Sequence, residues 1–529
     1  MRWPTVARMR MRGRAVARML VRGRAVARPV AAVLSGAVVA LALPPVDFVP
    51  AILGYTPFLL LLDAADGARR PVLARAVLGA AFGFGYHLAG LWWVGAAFLV
   101  DADTFGALLP LAVVGLPLLL APLHALAAVA MGLAPPSPAW RVVGLAVALA
   151  ATEWLRGVVL TGFPWNAAGL QLTGSSVALQ GAAVVGLNGL SFVAVLLGAS
   201  PVALIARGSR WLALPVVAVV VALAAYGSAR LARAPSIDAT QPRVRVVQPS
   251  VPQAHKWDPA ESAAIWRRLL DLTASPTGDG AAVDVVIWPE TAFPFIYRTP
   301  SVEQLDLAAA LGGGAMLLAG AVELEATADG RRATNSLILV GSDGAPLARY
   351  DKNHLVPFGE YLPLKGVLSA IGLRQITEAV AAFDAGTDRQ PIDIPGLAPA
   401  LPLICYEVIF PHPEIADARW IVNVTNDAWF GDTPGPRQHL RHAQVRAVED
   451  GLPVVRAANN GISAVIDPEG RFVGRLALDA VGVIDTGLPA PRSTLYRRLG
   501  DAPLFGLILV AAGAGAAAAA RRRRGAMKG

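Results

Sequence analysis

Cysteine and charge are both scarce in this sequence. A single cysteine, Cys405, stands among 529 residues. It excludes an intramolecular disulfide framework and a cysteine-rich metal or cluster site, and leaves one thiol that is either reactive or inert and buried. Asp, Glu, Lys and Arg together make up only 16% of the chain, which argues against a disordered or nucleic-acid-binding chain. Acidic residues are missing from both ends. Residues 1–28 hold nine arginines, and Arg521, Arg522, Arg523, Arg524 and Lys528 close the chain; these carry +14 between them, so the remainder of a chain of net charge +9 stands at −5. The basic balance is thus a property of two terminal clusters. What is abundant is apolar surface. Apolar residues make up 55% of the sequence, and the mean hydropathy of +0.53 is far above what a water-facing surface tolerates, so much of the chain faces lipid.

A spanning helix needs roughly 20 mostly apolar residues. The sequence predicts seven before residue 230, near 30–45, 48–65, 72–99, 106–133, 142–160, 184–206 and 211–229, and an eighth at 503–520. With eight spans, the N-terminal arginines, Arg69, Arg70, Arg75, Arg141, Arg207, Arg210 and the C-terminal arginines fall on one side. The alternate connections, around Asp47, 101–105 and 161–183, hold no Lys or Arg. By the positive-inside rule both termini are cytoplasmic and the long segment between spans seven and eight is exported. Residues 1–28 read as a cytoplasmic leader, 29–230 as a seven-helix membrane domain, 243–489 as the exported domain and 521–529 as a basic cytoplasmic tail. The leader lacks the adjacent arginines of a twin-arginine signal and is followed by too many spans for a cleaved signal peptide. Glu153 and Arg156 are three apart on one helix face and can form a structural pair or a substrate contact. His87, Trp92 and Trp93 suit an interfacial belt, and the polar, Gly-rich stretch 161–172, TGFPWNAAGLQL, suits a re-entrant or lid segment.

From Arg243 the pattern changes to short β-rich runs, at 244–249, 283–290, 315–324, 335–341, 399–407, 420–427, 452–459 and 464–470, with helices at 259–273, 303–312 and 437–450. The runs are continuously apolar, so the strands are expected to be buried on both faces in a layered α/β domain. Three strand ends carry chemistry: Glu290 in VVIWPET, Lys352 in RYDKNHLVPFGEY and Cys405 in LPLICYE. A carboxylate can take the proton of a thiol and a fixed ammonium favours the resulting anion. The same ammonium, with a backbone N–H near Cys405, can hold the oxyanion of a tetrahedral intermediate. Taken singly, each has a plainer explanation: a packed cysteine, a surface lysine, a Trp-Pro-Glu turn. The combination is the informative feature.

On these strings, 243–489 resembles the carbon–nitrogen hydrolase (nitrilase) superfamily. The whole chain is similar to the bacterial apolipoprotein N-acyltransferases, through TGFPW (161–165), VQPSVPQAHKW (247–257), WPET (288–291), YDKNHLVPFGEYLP (350–363), ICYE (404–407) and the long run 423–470. The resemblance implies a polytopic α-helical membrane bundle of eight spans with an inserted α-β-β-α sandwich. It also implies a triad of Glu290 as general base, Lys352 as oxyanion stabiliser and Cys405 as nucleophile, with Trp257, Glu360, Tyr406 and Glu407 as supporting or substrate-binding residues. No cofactor and no metal are implied. The implied partners are a phospholipid acyl donor, typically phosphatidylethanolamine, and the S-diacylglyceryl-cysteine of an apolipoprotein as acceptor, at the bacterial inner membrane. Apolar arms at 293–298 and 363–383 are candidates for admitting lipid, the latter equally an ordinary packed helix. Two competing readings are a membrane-bound amidase or nitrilase-type hydrolase, in which water attacks the acyl-enzyme, and a membrane scaffold for a polyprenol-linked glycosyltransferase.

Overall fold

The computed structural model describes residues 26–206, 209–236, 241–327, 330–363, 383–387, 389–411 and 417–526. Most of the N-terminal leader and all but the end residues of the 363–383 segment lie outside these. Among the described residues five helical stretches are long and apolar enough to cross a membrane: Val49–Gly67, Pro71–Leu99, Ala102–Met131, Ala182–Ile205 and Arg210–Ala232. The expected spans at 30–45 and 503–520 correspond to shorter apolar helices, Val26–Ala40 and Ala502–Ala518. The one at 142–160 corresponds to the helix Pro138–Val158, which carries Arg141, Glu153 and Arg156.

The main membrane helices are labelled α1 (Val26–Ala40), α2 (Tyr55–Ala64), α3 (Pro71–Leu91), α4 (Leu109–Met131), α5 (Pro138–Val158), α6 (Ala182–Ala199) and α7 (Ala213–Ala232). Lipid supplies no hydrophobic drive between helices, so close backbone approach must do the packing. At Gly79 of α3 a Cβ would stand 2.4 Å from the carbonyl of His124 in α4; only glycine allows this crossing. The buried core of the bundle runs through Phe58, Phe82, Leu145, Leu149, Leu190 and Leu196.

The α/β region has two sheets. The first has the order β11-β1-β2-β3-β4-β5 and the second β10-β9-β8-β7-β6. Their strands are β1 (Arg243–Gln248), β2 (Val285–Ile287), β3 (Met316–Thr327), β4 (Gly330–Val340), β5 (Pro346–Asp351), β6 (Ala400–Ile404), β7 (Trp420–Thr425), β8 (Val454–Ala458), β9 (Ala464–Ile466), β10 (Phe472–Arg475) and β11 (Gly482–Gly487). Strands β1 to β3 are parallel, as are β6 to β8. The sheets face each other across Val246, Ile287, Leu339, Ile404, Val424 and Val465, which is why the runs read as apolar on both sides. Helices α8 (Ser262–Ala274) and α9 (Val302–Leu311) cover the outer face of the first sheet with Ile265, Leu269 and Leu307.

The outer face of the second sheet meets α10 (Pro434–Asp450). Leu440, Ala443 and Ala447 of α10 share one buried cluster with Leu403 and Ile421 of the sheet and with Leu91, Trp93, Leu120 and Trp165 of the bundle. The helix is therefore enclosed on both sides, by sheet and by membrane helices. α11 (Ala502–Ala526) returns alongside α5.

Several expectations change here. His87 is fully buried in the bundle and Trp93 is buried against Trp165 and Phe430, while Trp92 is half exposed; only the last suits an interfacial belt. Residues 163–172 are largely buried between bundle and α/β region, a connector and not a free lid. Of the 293–298 segment, Phe293 and Tyr297 belong to the core between the first sheet and α8, so it is no free apolar arm.

Candidate active site

Each predicted triad residue leaves a strand through local pairing. Past β2 the backbone continues alongside β3, with Trp288 N–H donating to Leu318 O at 2.9 Å and Ala292 N–H to Gly320 O at 2.7 Å. This lays Glu290 against Gly320, where a Cβ would stand 2.5 Å from the Glu290 Cα. Lys352 directly follows β5 and donates its N–H to Asn335 O of β4 at 2.8 Å. Cys405 directly follows β6 and opens a 3-10 turn, Cys405–Ile409. Its φ of 52° is one that L-residues rarely adopt, and such strain needs surrounding structure to hold it.

These three side chains come together. Lys352 Nζ lies 2.8 Å from Glu360 Oε1 and 3.6 Å from Glu290 Oε1, and the side chain is 1% exposed. Asn335 Nδ2 donates to Glu290 Oε1 at 2.7 Å and to Glu360 Oε1 at 3.0 Å, while Asn426 N–H donates to Glu290 Oε2 at 2.8 Å. Burial alone would push the Lys352 ammonium down, but Glu360, Glu290 and the Cys405 sulfur hold it well above its ordinary value. Burial pushes the Cys405 thiol up, Glu290 adds to that, and Lys352 opposes it. Burial and Glu290 thus favour the neutral thiol, and Lys352 favours the thiolate.

The supporting residues divide by what they touch. Glu360 braces Lys352 and is itself tied by Val356 N–H to Oε2 at 2.8 Å. Glu407 is fully buried and accepts from Tyr350 O–H at 2.9 Å, Asn353 N–H at 2.9 Å, His354 N–H at 3.0 Å and Ile404 N–H at 2.8 Å. It fastens the loop that carries Lys352 to the turn that carries Cys405. Tyr406 points to the bundle: its hydroxyl donates to Gly162 O at 3.1 Å and its ring stacks on Phe163. Trp257 joins Ile296, Leu324 and Tyr361 around a small apolar cluster of Val322, Ala333, Leu355 and Phe383.

Sequence reasoning missed Lys256, although it stands within the quoted string 247–257. The residue is buried, and its ammonium donates to the Glu290 carbonyl at 2.9 Å. Burial pushes it down to about 8, against the opposing pull of Glu290 and Cys405. Asn335 was missed as well, because an amide on a strand has no periodic or motif signal of its own, and Asn426 stood in the quoted run 423–470 without a role.

The bundle closes on this site through the 161–165 connector and α10. Arg156 pairs with Glu153 at 2.5 Å and donates to the carbonyls of Phe163 and Trp165. Gln438 of α10 accepts from Trp165 Nε1–H at 2.9 Å and Trp93 Nε1–H at 3.1 Å, and donates to Pro44 O at 3.1 Å and Gly90 O at 3.3 Å. The next residue, His439, lies 3.0 Å through Nε2 from the Cys405 carbonyl.

Two facing sheets with flanking helices, and a carboxylate, an ammonium and a thiol at their strand ends, define a carbon–nitrogen hydrolase domain. The family model described as carbon-nitrogen hydrolase matches residues 243–498, and that described as apolipoprotein N-acyltransferase N-terminal domain matches residues 35–200. The chain is 46% identical over 486 residues to the apolipoprotein N-acyltransferase of Brucella melitensis biotype 1, covering 89% of this chain and 91% of that one. It is 44% identical over 499 residues to the protein of that name from Rhodopseudomonas palustris, covering 90% and 93%. An amidase of the nitrilase superfamily from Nesterenkonia AN1 overlaps 51% of this chain and 98% of its own at 21% identity, with a TM-score of 0.35. The chain belongs to the apolipoprotein N-acyltransferase family.

Proposed function

We propose that this protein transfers a fatty acyl chain from a phospholipid to the N-terminal α-amino group of an apolipoprotein's S-diacylglyceryl-cysteine, by way of a thioester on Cys405. The observation that carries the reading is the seat of the nucleophile. Cys405 belongs to a turn whose next residue, Tyr406, is hydrogen-bonded to the membrane connector, so acyl-transfer chemistry and lipid-facing helices share one junction. Moving an acyl chain into water costs about 0.8 kcal/mol per CH₂, and a site at the membrane surface avoids that.

In the first step Glu290 takes the thiol proton and the sulfur attacks the ester carbonyl of the donor. The Lys352 ammonium and a backbone N–H of the Cys405 turn hold the oxyanion. The C–O bond breaks, Glu290 returns its proton to the leaving lysophospholipid alcohol, and the acyl group remains as a thioester. In the second step the acceptor's amine loses a proton to Glu290 and attacks the thioester. The tetrahedral intermediate collapses to the amide, and the thiolate leaves and is reprotonated. Glu360 orients Lys352, Glu407 fixes the two loops, and the cluster beside Trp257 offers an apolar wall to an acyl chain. Eight spans, both termini in the cytoplasm and an exported 243–489 segment complete the reading, supported by the alternation of arginine in the short connections.

Mass spectrometry of a lipoprotein N-terminus tests this. Triacylated product with the wild-type chain and diacylated product with Cys405→Ala are expected; diacylated product from both overturns the reading. Lys352→Met should slow acyl-enzyme formation about 100- to 1,000-fold, the usual effect of losing one oxyanion donor.

A further inference from the structure

Beside Cys405 lies a buried polar group that the acyl-transfer steps above do not use. Thr425, the last residue of β7, directs its hydroxyl at two acceptors: Cys405 Sγ at 3.3 Å and Asp427 Oδ1 at 3.2 Å. A hydroxyl has one hydrogen and serves one of them well at a time. Asp427 does not need it. Its Oδ1 meets His439 Nδ1 at 2.7 Å and its Oδ2 accepts from Arg456 Nη2 at 2.8 Å, and the carboxyl is fully buried. The sulfur has no other hydrogen-bond donor among the described residues. Thr425 is itself immobile: its carbonyl accepts from Asn459 N–H at 3.0 Å, and a β-branched side chain is stiff at χ1.

We propose that Thr425 is a catalytic residue of the acyl transfer, its hydroxyl hydrogen turning from Asp427 to Cys405 Sγ as the thiolate forms and holding the anion for attack. The proton leaves sulfur for Glu290, and the Thr425 hydroxyl keeps its own hydrogen throughout. The same donor is on hand when the thiolate is expelled in the second step. The assignment rests on Cys405 being the nucleophile. The charged groups around the sulfur are Glu290 after β2, Lys352 after β5, Lys256 after β1 and Asp427 after β7, with His439 of α10 and Arg456 of β8 behind Asp427. Asp427 is held as a carboxylate, since Arg456 and His439 outweigh burial and pull it down to about 2. It therefore stays an acceptor throughout the range in which the thiol titrates, and Thr425 is the neutral donor set between the two anions.

Because Cys405 is the only cysteine, alkylation of the full-length chain in detergent by iodoacetamide reports this sulfur alone. The rate against pH is measured for wild type, Thr425→Val and Thr425→Ser, together with thioester formation on phospholipid vesicles. The valine variant should move the alkylation midpoint up by about one pH unit and slow thioester formation roughly tenfold, the size of one lost hydrogen bond to an anion. The serine variant, which keeps the hydroxyl, should stay close to wild type. Should the valine variant not fold, Thr425→Ala against Thr425→Ser makes the same comparison. A midpoint unmoved by loss of the hydroxyl, or moved equally by serine, overturns the assignment. Absence of any thioester on the wild-type chain overturns the Cys405 reading and with it the part given to Thr425; normal thioester formation with an unmoved midpoint overturns Thr425 alone.

Discussion

At the scale of single residues the site is a balance of few charges in little water. Glu290 and Glu360 share Lys352, which would leave one negative charge in excess, and Lys256 offsets it. Among the described residues its ammonium donates to the Glu290 backbone alone, so its expected effect on Cys405 is through charge and through the position of Glu290. Burial sets it at about 8, below the ordinary 10.5. Between those values the folded chain binds fewer protons than the unfolded one, so stability rises with pH across that window. Activity should run the other way, because the offsetting charge is lost as pH passes upward through about 8. Thioester formation followed from about pH 7 to 10 should decline along an alkaline limb in the wild type. Lys256→Met should be slower throughout and lack that limb, and Lys256→Arg, which keeps the charge, should lack it while retaining more activity. An identical limb in the methionine variant would show that Lys256 is not its source.

Among elements, α10 matters most, because adjacent residues read the two halves of the molecule. Gln438 satisfies two indole N–H groups and two carbonyls of the bundle, and His439 reaches the Cys405 carbonyl. Gln438→Leu keeps the volume and strands the indole donor of Trp165, while that of Trp93 keeps its bond to Gly90 O at 3.0 Å. One stranded donor costs about 1–3 kcal/mol, so the variant should unfold at lower temperature and form thioester more slowly; unchanged thermal and kinetic behaviour would mean that the bundle and site are not coupled here. The sequence shows a helix near 437–450, since its apolar spacing is helical, and the structure starts it at Pro434 with Thr433 accepting at the cap. Burial on both sides was not legible, because a polar helix that packs against other polar groups has the composition of a surface helix. The same limit applies to strands. The sheet interiors were legible as continuous apolar runs, but β5, β10 and β11 were not: PLARYD and FVGR alternate or carry charge, and GVIDTG is short and half-buried. The triad was legible from its strings, whereas Lys256 and Thr425 stood inside quoted strings without a role and Asn335 stood outside them, because their roles arise from which strand ends meet.

Across the whole molecule, one catalytic domain is joined to a bundle that places it at a lipid surface. The joint is polar and buried on both sides: Glu153 and Arg156 below, the 161–165 connector between, and Gln438 above. Such a joint is costly to open, because separating the halves would break the bonds from the Trp165 indole to Gln438 and from the Tyr406 hydroxyl to Gly162 O. It also ties the side on which the catalytic domain lies to the side reached by the 161–165 connection. If the arginine alternation is right, that side is outside the cytoplasm, together with the connection around Asp103, while Arg70 faces inward. The single cysteine makes this measurable. In a Cys405→Ala background, Asp103→Cys should react with a membrane-impermeant maleimide added to intact spheroplasts, and Arg70→Cys should react only after the membrane is opened. The opposite pattern would put the catalytic domain on the cytoplasmic face, and labelling of both positions from outside would break the alternation from which the orientation was read.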